Sequence, residues 1–297
     1  MKYEMDVLDV ETNKKRRLWI ENGKVRYSEI NSEHSGMYLL NTDQFEIVPG
    51  KVTLDHNISQ AYLDGTGTSY VKRLLLFGFT SFVNVIEIDH ERSFTDALMK
   101  SRNSLLTCPL DYVHAIRLPL SRLTDSWMRK IKLESIPIIF FSTDSLNQLE
   151  GMPWKRLLEG MFPKRILLVC EASPTVKGQS ERQEIHQAWK QIVQENRMNS
   201  FFHFPPSGQA ISPLLAKRIG LFPKKGVLVM GSDADYTMYE RYPWEEQPIK
   251  LPDVIALKGH IVKAGKQWNL DQIEGEELTS IVPEQFLPIQ DVYRYED

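Results

Sequence analysis

Two periodicities divide the chain. In residues 1–48, short apolar runs are broken every few positions by turn formers: 5–10 alternates, Leu18-Trp19-Ile20 precedes Asn22-Gly23, and 24–27 follows. Asn-Gly between such runs is a strong hairpin signal, because both turn positions need positive φ. A small antiparallel sheet is predicted. From Lys51 the pattern changes. Continuous apolar runs at 79–86, 112–118, 136–141 and 165–170 alternate with helical stretches at 70–77, 94–105, 126–133 and 180–197. That is the pattern of βα units whose parallel sheet is buried on both faces. A sixth strand is possible at 200–204, where Pro205-Pro206 stops it, and a helix is expected over 211–219. Beyond it, 226–230, 234–239 and 254–263 read as strands again.

The expected fold class is therefore α/β: an incomplete, open βα barrel over 51–219 and a small β-sandwich built from both ends of the chain, 1–50 and 220–270. A C-terminal extension, 271–297, is acidic and reads as solvated or partner-contacting. The stretch 51–219 holds five or six βα units, short of the eight that take about 250 residues in a closed barrel. The deficit falls after the fifth strand.

Composition narrows the function. Of 297 residues, 42% are hydrophobic and 25% charged, with a net charge of −3, which excludes a disordered chain and a bulk nucleic-acid binder. The run Lys14-Lys15-Arg16-Arg17 is brief and reads as a solvated turn. Cys108 and Cys170 are the only cysteines, so no disulfide framework is suggested and a reducing, cytoplasmic setting is expected. The N-terminus lacks a signal-peptide pattern, and no run approaches the length of a membrane span. No phosphate loop or GxSxG elbow is present, and Trp127, Trp154 and Trp189 read as packing anchors.

Four segments carry a family resemblance. Val48-Pro49-Gly50-Lys51-Val52-Thr53-Leu54-Asp55-His56-Asn57 is similar to the pattern PGFIDxHxH, and Gly65-Thr66-Gly67 with 77–85 to TGT…GGxTTxVD. The stretch 220–235, ending Gly231-Ser232-Asp233-Ala234-Asp235, follows GLxPxKGxIxxGxDAD, and 253–259 matches the closing strand pair. Together they resemble the amidohydrolase superfamily, in its dihydroorotase, hydantoinase and dihydropyrimidinase branch. Asp233 and Asp235 are read as turn and register residues.

The resemblance implies a hydrolase whose divalent metals, such as zinc, are held by an HxH pair, a strand-four lysine and two further histidines, with an aspartate as acid and base. Here the HxH positions carry Asp55 and Asn57, with His56 between them read as a packing histidine. Strand four holds no lysine, strand five offers Cys170 and Glu171, and strand six offers His203. The eighth-strand aspartate has no counterpart; Asp144, at the end of strand four, is the nearest stand-in for a catalytic carboxylate, with helix capping as its alternative role. A single metal on Asp55, His203 and Cys170 would be the remnant, and a small molecule could instead bind around Asp55, Asn57, Asn84, Asp144 and Glu171.

The expectation is a degenerate amidohydrolase-like protein without a cofactor: non-catalytic, binding a ligand or partner, and self-associating as a dimer because an open barrel leaves strand edges unpaired. The alternative is a divergent metal-dependent hydrolase of cyclic amides or other C–N bonds.

Overall fold

The computed structural model describes residues 2–8, 15–30, 38–241 and 250–279. Five parallel strands form the centre: β6 (Lys51–Asp55), β7 (Phe79–Glu87), β8 (Asp111–Pro119), β9 (Ile138–Thr143) and β10 (Leu167–Ala172), adjacent in chain order. Between them run α1 (Ile58–Leu63), α2 (Gly67–Leu76), α3 (Phe94–Ser104), α4 (Asp125–Leu133), α5 (Leu146–Glu150) and α6 (Trp154–Met161). Helix α7 (Gln179–Asn196) follows β10 and α8 (Pro213–Arg218) comes after a long loop. The sheet is a curled half-barrel.

Both faces are covered, which is why its strands lack polar alternation. The outer face packs on helices, where Trp127, Trp154 and Trp189 are buried; Trp189 lies 5.1 Å from both Phe141 and Trp154. The concave face carries Val52, Leu54, Val83, Val113, Ile138 and Leu167, and α8 plugs it with Leu215 and Ala216. Instead of a sixth strand, residues 199–200 make one bridge, at Leu168, on the outer side of β10. At the other edge Ala210 makes one antiparallel bridge to Thr53 on β6.

The ends of the chain build two further sheets. One has the order β3-β2-β1-β4: Lys24–Ile30, Lys15–Glu21, Lys2–Leu8 and Leu39–Leu40. The other is antiparallel, with β5 (Phe45–Pro49), β11 (Tyr236–Glu240), β12 (Val254–Leu257), β13 (His260–Ala264) and β14 (Gln267–Trp268). They share a core of Met5, Leu18, Ile20, Ile47, Tyr236 and Met238, and the Tyr3 and Tyr236 hydroxyls meet at 2.7 Å. Asn22-Gly23 turns with φ of 51° and 77°, as the hairpin reading requires. The basic run differs from expectation: Lys15, Arg16 and Arg17 lie within β2, and Arg17 pairs with Asp6 at 2.8 Å; Lys14 lies outside the described residues. The stretch 226–230 forms no strand, because it wraps through turns.

The return segment holds a buried ion cluster. Lys225 Nζ lies 2.5 Å from Asp111 Oδ2, 2.9 Å from Asp233 Oδ2 and 2.7 Å from Asp235 Oδ2. Burial works against the ammonium, but the carboxylates of Asp235, Asp111 and Asp233 outweigh it and raise the Lys225 pKa. Asp233 and Asp235 thus join the sandwich to the first residue of β8, a wider role than turn formation.

Within the extension read as solvated or partner-contacting, residues 275–278 instead pack on β8. Glu276 and Leu278 hydrogen-bond the backbone of Tyr112, Gly275 N–H donates to Cys108 O, and Leu278 is buried in the concave core. Glu277 accepts two hydrogen bonds from Arg102 at 2.7 and 2.9 Å. This stretch occupies the side of β8 that β9 takes only from Ala115 onward. The rest of the extension, 280–297, lies outside the described residues.

Candidate functional site

Strand parity builds a rim at the C-terminal ends of the half-barrel. Val83 and Val85, Val113 and Ala115, and Leu167 and Val169 line the concave face. Two residues further along the same strands, with the same orientation, come Glu87, Arg117 and Glu171. Leu54 sets the same parity for His56, and β9 contributes Phe140. Four of the five strands thus send one side chain toward this rim, and His56 follows directly after the fifth, β6.

Arg117 ties them together. Its Nη2 donates to Glu171 Oε1 at 3.0 Å, its Nη1 lies 3.5 Å from Glu87 Oε1, and its guanidinium stands 5.2 Å from the Phe140 ring centre. Phe204 meets Phe140 edge-on at 4.9 Å. The Arg117 Nε is buried without a hydrogen-bond partner. Burial, then repulsion from Arg117, pulls the His56 pKa below the ordinary imidazole value. His56 therefore faces the rim, correcting its reading as a packing histidine.

The expected pocket of Asp55, Asn57, Asn84 and Glu171 is divided between the two faces. Asp55 points to the helical side, where Oδ1 accepts the N–H groups of Asn57 (2.8 Å) and Ile58 (2.7 Å) and Oδ2 accepts the Tyr70 hydroxyl at 2.8 Å. It holds the start of α1. Asn57 is exposed at that helix start. Asn84 is buried beneath α3, donating to Ser101 Oγ at 2.8 Å and meeting His114 Nδ1 at 3.1 Å. Only Glu171 stays on the rim. Asp144 is exposed and accepts from Thr175 Oγ1 at 3.0 Å; the cap of α5 is Ser145, not Asp144.

The metal that the resemblance implies does not fit these residues. Arg117 places a fixed positive charge among the carboxylates that would have to receive a cation, and both Asp55 oxygens are engaged on the opposite face. Cys170 faces the helices, and burial pushes its thiol up to about 12. His203 is exposed, its ring 5.5 Å from that of His186. Asp55 on β6 and Cys170 on β10 stand at opposite edges of the sheet. Among the described residues, no group of three or more His, Cys, Asp or Glu could hold a metal ion.

A parallel half-barrel entered from and returned to separate sheets is compatible with a truncated amidohydrolase fold, and solved structures of that fold resemble this chain. It is similar to a dihydropyrimidinase from Brevibacillus agri NCHU1002 (TM-score 0.56, 12% identity, 95% of this chain and 99% of that one) and to a D-hydantoinase (0.53, 11%, 94% and 99%). A triazine hydrolase from Arthobacter aurescens matches with a TM-score of 0.52 and 11% identity over 91% and 96% of the two chains. No family model and no curated protein matches the sequence. Among the described residues, no helix is long and apolar enough to cross a membrane.

Proposed function

We propose that this chain is a non-catalytic amidohydrolase-fold protein that binds a small ligand at the Arg117 rim and self-associates. The observation that carries the reading is the Arg117 guanidinium held between Glu87 and Glu171. It supplies inside the protein the positive charge that a divalent metal would otherwise bring, and it repels one. The groups of that rim open to solvent, Glu87 and Glu171 with His56 beside them, suit a small polar ligand offering hydrogen-bond donors. Self-association is supported by the sheet edge: among the described residues, β10 is bridged on its outer side at Leu168 alone.

Elemental analysis of dialysed protein tests the metal-free reading. We expect no stoichiometric zinc or manganese; one equivalent per chain that survives dialysis overturns it and returns the hydrolase reading. Light scattering behind a sizing column tests the second part, and a stable monomer removes it.

A further inference from the structure

We propose that residues 280–297 of this chain dock into a basic groove at the N-terminal end of β10, on the opposite end of the sheet from the Arg117 rim. This inference is independent of the ligand and metal readings above.

The groove has a volume of about 590 Å³. Four cations line it, Lys155, Lys164, Arg165 and Arg197, against two carboxylates, Glu159 and Glu195. Phe162 lies at its side, 67% exposed. It is one of a series. Leu106, Leu133 and Phe162 each stand five residues before the first residue of β8, β9 and β10, and Leu106 and Leu133 are 69% and 78% exposed. Direct bonds join these turns: Arg102 to Glu134 at 2.7 Å, and Lys132 Nζ to Phe162 O at 3.0 Å. A row of large exposed apolar side chains ending in a basic groove is unlike a merely solvated surface and calls for an apolar, acidic occupant.

Segment 280–297 has that chemistry. It carries Ile281, Phe286, Leu287, Ile289 and Val292, and four carboxylates (Glu284, Asp291, Glu296, Asp297) against one guanidinium, Arg294. It also starts in the right place. The Leu278 N–H donates to Tyr112 O on the β9 side of β8, at the same end of the sheet as the groove. Two strand spacings separate that point from the far side of β10, roughly 10 Å. Eighteen residues reach roughly 60 Å when extended.

Zero-length carbodiimide cross-linking of the full chain, read by peptide mass spectrometry, tests the proposal. The pair Lys258–Glu276, 3.4 Å apart, is the internal positive control. We expect Lys155 or Lys164 joined to Glu284, Asp291, Glu296 or Asp297, with Arg197→Glu reducing those products at least fivefold while the control pair persists. Arg197→Glu removes no amine and no tail carboxylate, and the lysine products of the carboxylate that it adds to the groove are scored separately, so that the remaining effect reports charge complementarity. Should that variant fail to fold, Glu284→Lys with Asp291→Lys is expected to cut cross-links at Glu296 and Asp297 by a similar factor. Tail carboxylates joined only to lysines outside the groove, or unreacted while the control forms, overturn the proposal. In an equal mixture of ¹⁴N and ¹⁵N protein the products should be isotopically uniform; mixed products overturn docking within one chain in favour of a second copy.

Discussion

Arg117 on β8 reaches past β9 to bond Glu171 on β10, and in doing so it stacks on the Phe140 ring that stands between them. The guanidinium is flat enough to pair and stack at once, which an ammonium cannot do. That arrangement sets the electrostatics of the rim and leads to the first prediction.

Arg117→Ala should move the His56 titration upward. With the neighbouring cation gone, the carboxylates of Glu87, Asp55 and Glu171 favour the imidazolium. NMR of the ring protons across pH 4–8 would record it, and an unchanged midpoint would show that Arg117 does not govern His56. Stability should fall by only about 1 kcal/mol, since the pairs lie at a solvated rim.

Lys225→Met should be far more damaging. It leaves Asp111, Asp233 and Asp235 buried without their shared cation, and breaking such a cluster from one side costs about 3–5 kcal/mol. Urea unfolding should show a large drop in midpoint. A loss under about 1 kcal/mol would mean that the cluster is dispensable.

His114 supplies a pH dependence. Burial holds its pKa down at about 4 in the folded chain, whereas an exposed imidazole titrates near 6.5. Between these values the unfolded chain takes up a proton that the folded chain refuses. Stability is therefore complete above about pH 6.5 and falls as the pH drops toward 4, by up to about 3 kcal/mol from this group. His114→Asn should flatten that part of the stability profile; an identical slope in the variant would remove His114 as its source.

Gly275→Ala should release the 275–278 stretch. A Cβ there would overlap the Leu110 carbonyl, which belongs to rigid backbone and cannot yield. Hydrogen exchange should rise at the amides of Tyr112, Glu276 and Leu278, whose bonds depend on that close approach. Protection equal to the parent at all three would refute it.

Much of the fold was legible in the sequence. The apolar runs at 79–86 and 112–118 became β7 and β8 almost residue for residue, and the Asn22-Gly23 turn formed as its chemistry demands. The site was harder to read for a physical reason. A strand buried on both faces carries no alternation of polarity, so nothing in Thr53-Leu54-Asp55 told which side faces the concave core. Assigning Asp55 inward put His56 outward, and the structure reverses both. The signal that could have resolved it was present at the strand ends: Val83, Val85, Glu87; Val113, Ala115, Arg117; and Leu167, Val169, Glu171 each step in twos from apolar to charged. The role of 275–278 had no such signal, because a short segment filling beneath β9 has no periodicity of its own.

That same segment bears on when the protein can finish folding. Asp111 bonds the amide of Glu276, 165 residues later in the chain, and Leu278 completes the lining of the concave face. A ribosome adding about 5–20 residues per second exposes β8 for roughly ten to thirty seconds before its missing neighbour exists. During that interval the Tyr112 backbone and the apolar interior it borders are open to other chains. Chaperone demand during synthesis should accordingly rest on the emergence of residues 275–278, more than on any of the βα units that precede them.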